Sequence, residues 1–204
     1  MHTVVVILNW NGVNHLQTYL PSVATFSNVP IYIIDNGSSD NSVNWLTENH
    51  PEIGIIQLEE NLGFAGGYNA GLKKIHADRY VLLNSDVRVS SGWIESVNKS
   101  MLQNDWSICA PLILDDKNNE YYEYAGAAGG YIDKDGYMFC AGRLFHSTEK
   151  LNLNYNKDTE VFWASGAALF VDSKAWDEVN GLDADFYAHM EEIDLCWRLK
   201  SRGY

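Results

Sequence analysis

Basic residues are scarce in this sequence: 14 Lys and Arg stand against 27 Asp and Glu, a formal net charge of −13 at pH 7. Such an excess repels phosphate backbones and anionic surfaces, so nucleic acid is not an expected partner and only a local basic patch would permit one. Cysteine is scarce too. Cys109, Cys140 and Cys196 lie far apart, form no CxxC pair and are odd in number. That argues against a disulfide framework or a structural zinc site and fits a reduced, cytoplasmic setting. Histidine pairs with zinc spacing are missing, so His146 and His189 receive no role. Long apolar runs are missing as well. Val4-Val5-Val6-Ile7-Leu8 is far too short to cross a bilayer and has neither the basic lead-in nor the cleavage pattern of a signal peptide. A peripheral enzyme acting on a membrane-bound acceptor, at the inner face of the membrane, stays compatible with this.

What is present suffices for a folded domain. With 204 residues, 46% of them hydrophobic, the chain can bury the core of one large domain or of a domain with an insertion. Short β-rich runs alternate with amphipathic segments: the pattern predicts strands over 4–9, 31–35, 55–58 and 80–84, and helices over 13–26, 41–49 and 67–76. The strands are continuous apolar runs, as expected when helices cover both faces of a mostly parallel sheet. Between 115 and 160 the texture changes. Asn, Asp, Gly and Tyr dominate, which predicts an insertion or long loop carrying one hairpin. A further strand is expected over 163–171, then a turn and a C-terminal helix with Ile193, Cys196, Trp197 and Leu199 on its apolar side.

Several strands end in polar residues: Asn9 with Asn11, Asp35 with Asn36, and Asn84-Ser85-Asp86. Ligands of open α/β sheets collect beyond these carboxyl ends. A carboxylate at a buried strand tip must be answered by a cation, a proton or hydrogen-bond donors, and Asp86 and Asp35 both pose that question. Asp35 can accept from the N–H of a pyrimidine base. Gly37 to Asp40 is explained by turn and cap chemistry. The run Asn61-Leu62-Gly63-Phe64-Ala65-Gly66-Gly67-Tyr68-Asn69-Ala70-Gly71 is a glycine-rich helix entry, but it matches neither GxGxxG nor GxxxxGK[ST]. Its glycines serve either an approaching anion or close packing of the helix on the sheet. Glu191, Glu192 and Asp194 crowd the start of the last helix, where the helix dipole favours acids in any case. Placed near a second acidic site, they also suit metal-assisted group transfer.

Taken in order, Asn9-Trp10-Asn11, Asp35-Asn36-Gly37-Ser38-Ser39-Asp40, Asn61-x-Gly63-Phe64-Ala65-Gly66-Gly67-x-Asn69-x-Gly71, Leu83-Asn84-Ser85-Asp86, Gly166-Ala167 and Glu191-Glu192-x-Asp194-Leu195-Cys196-x-Arg198 resemble family 2 glycosyltransferases of the GT-A fold, especially their rhamnosyltransferase-like branch. The resemblance implies a single GT-A domain over 1–204, Rossmann-like, with a nucleotide-sugar-binding half at 1–114 and an acceptor-side half at 115–204. It implies an inverting transferase that moves a sugar from a dTDP- or UDP-sugar to a glycan or lipid-linked glycan, in cell-surface polysaccharide synthesis. Asn84-Ser85-Asp86 stands where the family has its DxD motif, so Asp86 is the expected ligand of Mg²⁺ or Mn²⁺. Asn9, Asn11, Asp35, Gly37, Gly67, Asn69, Asn84 and Ser85 are expected around the nucleotide and donor. Glu192 matches the base of the family's ED motif, with Glu191 as the alternative, and Gly166 and Asp194 fall on the acceptor side. Family members usually continue past the point where Arg202-Gly203-Tyr204 ends this sequence, so a truncated C-terminus is expected. Two rival readings are a sugar nucleotidylyltransferase and a non-catalytic binding module. The first lacks its triphosphate-binding Arg and Lys near Leu8 to Gly12; loss of turnover with retained nucleotide binding in Glu192→Gln would exclude the second.

Overall fold

The structure is a computed structural model that describes residues 1–152, 155 and 157–204. Strands β1 (Thr3–Asn9), β2 (Ile31–Asp35), β3 (Gly54–Gln57) and β4 (Arg79–Asn84) alternate with helices α1 (Val13–Phe26), α2 (Ser42–Asn49) and α3 (Gly63–Leu72). Then follow α4 (Trp93–Asn104), β5 (Ile108–Cys109), the hairpins β6 (Gly130–Ile132) with β7 (Met138–Cys140) and β8 (Arg143–Leu144) with β9 (Ser147–Thr148), and β10 (Ala168–Asp172). Helix α5 (Ser173–Glu178), a 3₁₀ turn (Ala184–Phe186) and α6 (Glu191–Lys200) close the order.

The main sheet runs β3-β2-β1-β4-β10-β5. Its first four strands pair in parallel, whereas β10 is antiparallel to both β4 and β5. Residues along β1 alternate between two cores: Val4 and Val6 pack with Tyr68, Leu72 and Leu195 on one face, Val5 and Ile7 with Leu16, Leu20 and Phe170 on the other. That two-sided burial is why β1 reads as an unbroken apolar run. Parallel register then brings the polar strand ends together, with Asn9 opposite Asp35 and Leu8 opposite Asn84.

Several expectations shift. Helix α3 begins at Gly63 instead of residue 67, because Gly63 takes φ +72 and turns the chain into the helix. The run 163–171 is a strand only from Ala168; Trp163 forms a bridge with Gly130, and Ser165 to Ala167 make a turn. The insertion holds two hairpins where one was expected. Trp197 is half exposed, unlike the buried Leu195 and Leu199, and makes its apolar contact at the rim, edge-on to the Phe162 ring at 5.6 Å.

Candidate active site

The carboxyl edge of β1 and β2 is a dense polar network. Asn9 is fully buried, and its Nδ2 donates to Asp35 Oδ1 at 3.2 Å and to Ser38 Oγ at 3.2 Å. The other Asp35 oxygen accepts from the Ser38 amide at 3.1 Å. Gly37, at φ +71, makes this turn possible: a Cβ there would stand 2.7 Å from the Glu60 carbonyl carbon. Asn36, also buried, accepts from the Leu62 amide and donates to Asn61 Oδ1 and the Gly63 carbonyl. This residue ties the β2 end to the entry of α3. The sequence signal was there, since Asn36 follows Asp35 directly and Asn61 precedes Gly63, but only three-dimensional pairing shows that each asparagine serves the other. One atom stays unanswered: Asn9 Oδ1 is buried and has no partner. It lies beside Gly12, where a Cβ would come 2.5 Å from it and 3.9 Å from Ser85 Oγ. A buried acceptor without a partner is rare in folded proteins.

Other predicted residues have structural employment. Asn11 accepts from the Ser39 and Asp40 amides through its side chain, which pins the loop after β2. Asp40 in turn accepts from the Val13 amide at the start of α1 and from the Ser42 amide at the start of α2. Burial pushes its carboxyl up, but these bonds and the Ser42 hydroxyl outweigh it and hold the pKa below the usual value. Gly67 is a packing glycine: a Cβ would meet Leu8 Cδ1 at 2.7 Å. Asn69 is engaged by Leu182, donating to its carbonyl at 2.6 Å and accepting from its amide at 3.0 Å. Asp194 pairs with Arg198 at 2.6 Å, and Arg198 also reaches the Val179 carbonyl, so this pair fastens α6 to the segment after α5. The first amides of α3 are not open to an anion. Phe64 and Ala65 donate to the Tyr187 carbonyl at 2.7 and 3.3 Å.

The remaining carboxylates are placed differently. Asp86 sits exposed in the turn after β4 and makes no ion pair among the described residues. The turn is held by the Asn84 amide, which donates to the Ala167 carbonyl at 2.9 Å. The adjacent Gly166 faces Glu192, since a Cβ on Gly166 would lie 3.6 to 3.9 Å from the Glu192 side chain. Asn84, Ala167, Gly166 and Glu192 thus form a continuous path from the turn bearing Asp86 to the first turn of α6. Glu191 is buried and its Oε2 has no hydrogen-bond partner. Burial raises the pKa of both acids, and the Glu191 charge raises Glu192 further. The backbone before them is strained, with Tyr187, His189 and Met190 all at positive φ (58°, 75° and 75°). Such strain in non-glycine residues persists only where surrounding contacts enforce it.

A cation fits this geometry in one manner. No group of three His, Cys, Asp or Glu among the described residues is arranged to hold a metal. A single exposed carboxylate at Asp86 suits Mg²⁺ or Mn²⁺ only when substrate phosphates and water complete the shell. A separate cavity of about 710 Å³, lined by Trp106, Cys109, Tyr131, Trp163 and Cys196, includes neither Asp86 nor Glu192 in its walls. It is therefore not the candidate active site.

Comparison with known proteins agrees with this architecture. The sequence profile described as Glycosyl transferase family 2 matches residues 4–174. The chain belongs to that family. Among curated relatives of this family 2 chain, the low-salt glycan biosynthesis hexosyltransferase Agl10 of Haloferax volcanii is 21% identical across 96% of the chain and 61% of its own length. An N-acetylglucosaminyl-diphospho-decaprenol L-rhamnosyltransferase of Mycobacterium tuberculosis is 23% identical across 98% of the chain and 71% of its own length. The chain thus spans only part of these relatives, 61% of the first. In fold it is similar to a mannosyltransferase of Pyrobaculum calidifontis solved with GDP-Man and Mn²⁺, with TM-score 0.69, 12% identity, and coverage of 100% of the chain and 53% of that structure. Staphylococcus aureus TarS 1-349 is similar at TM-score 0.67 and 12% identity, over 98% of the chain and 55% of that structure. These likenesses fix the GT-A-type fold of the family 2 chain. No helix among the described residues is long and apolar enough to cross a membrane.

Proposed function

We propose that this family 2 protein is an inverting glycosyltransferase that moves a sugar from a dTDP- or UDP-sugar to an acceptor hydroxyl on a glycan or lipid-linked glycan in cell-surface polysaccharide synthesis. One observation carries the reading: the turn bearing Asp86 and the acid Glu192 are joined through the Asn84 to Ala167 hydrogen bond and the Gly166 contact. Residues 1–114 serve the nucleotide sugar and residues 115–204 the acceptor. Asp35 would hold the base, and Asn9 would support it through its hydrogen bond to the Asp35 carboxylate. Asn84, Ser85 and Asp86 would serve the diphosphate, with Asp86 as the residue that would hold Mg²⁺ or Mn²⁺. A divalent cation there supplies charge that offsets the departing nucleoside diphosphate. The name of one relative, an N-acetylglucosaminyl-diphospho-decaprenol L-rhamnosyltransferase, supports a lipid-linked acceptor; with that reading goes a cytoplasmic site at the inner face of a membrane.

In the reaction Glu192 accepts the proton of the acceptor hydroxyl. That oxygen forms its bond to the anomeric carbon from the face opposite the diphosphate, while the bond from carbon to phosphate oxygen breaks and its electron pair leaves with the diphosphate. A base with a raised pKa holds the abstracted proton more firmly than an ordinary carboxylate at the same distance. Burial and the charge of Glu191 therefore serve the proton transfer, provided the pH stays above the raised value.

The test is a transfer assay over UDP-, dTDP- and GDP-sugars with and without Mg²⁺ or Mn²⁺, together with thermal unfolding. One nucleotide should stabilise the protein only when the metal is present, and that sugar should be transferred. Asp86→Ala should abolish the metal-dependent part of donor affinity. Unchanged metal-dependent affinity in that variant would remove the proposed donor site, and binding without any transfer would favour a non-catalytic binding module.

A further inference from the structure

Leu182 and Glu191 are both buried, but residues 183–190 between them are exposed throughout and contain no glycine. Three of the last four, Tyr187, His189 and Met190, nevertheless sit at positive φ. Glycine would remove that strain, as Gly63 and Gly181 do nearby at φ +72, but it would also leave the stretch free to take other conformations. Bulkier residues keep the strain and, with it, a narrow range of conformations. A stiff connection results, and it leads directly into Glu191 and Glu192.

Contacts must hold such a stretch in place, and burial does not supply them: Tyr187 is 57% exposed and Met190 40%. Helix α3 does. At one end Asn69 clasps both the amide and the carbonyl of Leu182. At the other the Tyr187 carbonyl accepts from the Phe64 and Ala65 amides, and the Tyr187 ring covers Gly63, where a Cβ would stand 2.6 Å from it. The first amides of a helix need partners from outside the helix, and here a main-chain carbonyl from the stretch before the base takes two of them. The entry of α3 is in turn fixed on the end of β2, since Asn36 holds the Leu62 amide and the Gly63 carbonyl. Three residues beyond Tyr187, the Met190 carbonyl accepts from the Ile193 and Asp194 amides and so starts α6. Glu192 lies in that first turn.

We infer that Tyr187 is a positioning residue for the proton transfer: its carbonyl, seated on the first amides of α3, holds the strained stretch that aims Glu192 at the acceptor hydroxyl. The inference rests on the reading of Glu192 as the base of a transferase. A general base must keep its oxygen within hydrogen-bond reach of the proton it takes, and a displacement of about 1 Å can lower the rate about 100-fold. Tyr187 acts through Met190 and the start of α6 and touches no reacting group. Because the seat is built by the main chain of α3, loosening it moves Glu192 while Asp35, Asn84 and Asp86 keep their places. The loss therefore falls on the chemical step and spares donor binding.

The experiment compares Phe64→Pro with Phe64→Ala. Both lose the ring that packs edge-on against Tyr68 at 4.9 Å, but only proline also deletes the amide that donates to Tyr187, at a first-turn position where a helix tolerates it. Transfer is assayed with the nucleotide sugar that stabilises the protein, alongside calorimetric nucleotide binding and hydrogen exchange. Relative to Phe64→Ala, Phe64→Pro should lower kcat about 10- to 100-fold, with the same donor KM and nucleotide affinity and with faster exchange at the Ile193 and Asp194 amides. Should Phe64→Pro fail to fold, Tyr187→Gly decides. Glycine accepts the positive φ but frees the stretch, so kcat should fall about tenfold or more at unchanged donor KM; a turn with no bearing on the base would gain stability and keep its kcat. Equal kcat in folded Phe64→Pro and Phe64→Ala, a loss confined to donor KM or nucleotide affinity, or full kcat in Tyr187→Gly would overturn the inference and leave the transferase reading standing. No transfer by the unmodified protein would remove that reading, and the inference with it.

Discussion

Two acidic regions, one at the end of β2 and one at the start of α6, differ in how their carboxylates are answered. Around Asp35 both carboxylate oxygens are answered, by Asn9 and by the Ser38 amide, and Asn36 extends the same network toward α3, leaving Asn9 Oδ1 as its one acceptor without a partner among the described residues. At the start of α6, Glu191 has a buried oxygen with no partner, and Glu192 has its pKa raised by burial and by its neighbour. Buried polar groups that are fully bonded make a rigid scaffold, whereas those left short raise free energy that the fold must offset elsewhere. The lesson is a division of labour. The first region fixes shape, and the second is held in a state that favours taking up a proton.

Substitutions that break the comparison should therefore differ in what they lose. The largest effect is expected for Glu192→Gln, which removes the base while keeping its size: transfer should fall about 10²- to 10⁴-fold, with nucleotide affinity and melting temperature nearly unchanged. Steady-state kinetics and calorimetric binding check this together. Next comes a change in the sheet itself. Arg79 is buried and donates to Asp172 at 2.7 Å and to Asn98 at 2.8 Å. Arg79→Met strands the partners, and denaturant unfolding should show a loss of about 3 kcal/mol, near the low end for a broken buried pair because the Asp172 side chain is 30% exposed. Asn36→Ala removes three hydrogen bonds from the dense network. It should cost about 2 kcal/mol and weaken nucleotide binding indirectly by loosening the entry to α3.

The smallest effect has the opposite sign. Glu191 has a raised pKa in the folded state, so the folded protein binds protons more readily than the unfolded chain and its stability falls as pH rises from the unfolded value through the folded one. Glu191→Gln should accordingly raise the melting temperature slightly near pH 7. The gain should vanish below the pKa of the unfolded chain, about 4.3. Melting curves at several pH values decide it.

Much of this was legible in the sequence, for reasons that differ by region. The parallel strands announced themselves because burial on both faces demands unbroken apolar runs, and their polar ends marked the edge that carries the candidate site. Asp35, Asn84 and Asp86 could be placed there from sequence alone. The early start of α3 could not, because it depends on Gly63 turning at positive φ beneath Tyr187. Nor could the employment of Asn11 and Asn69, whose partners lie 28 and 113 residues away. Local patterns carry no information on such pairings. The insertion was legible only as a change in composition, since hairpins of two or three residues per strand have too few positions for alternation to show.

The central claim is that Glu192, with its pKa raised by burial and by Glu191, is the group whose ionisation permits transfer. The most direct measurement is the pH dependence of kcat at saturating donor and acceptor in the unmodified protein and in Glu191→Gln. The acid limb should lie above the range of an ordinary carboxylate in the unmodified protein and move to lower pH in the variant, because a neighbouring negative charge has been removed. An acid limb that stays in place when Glu191 is neutralised would contradict it.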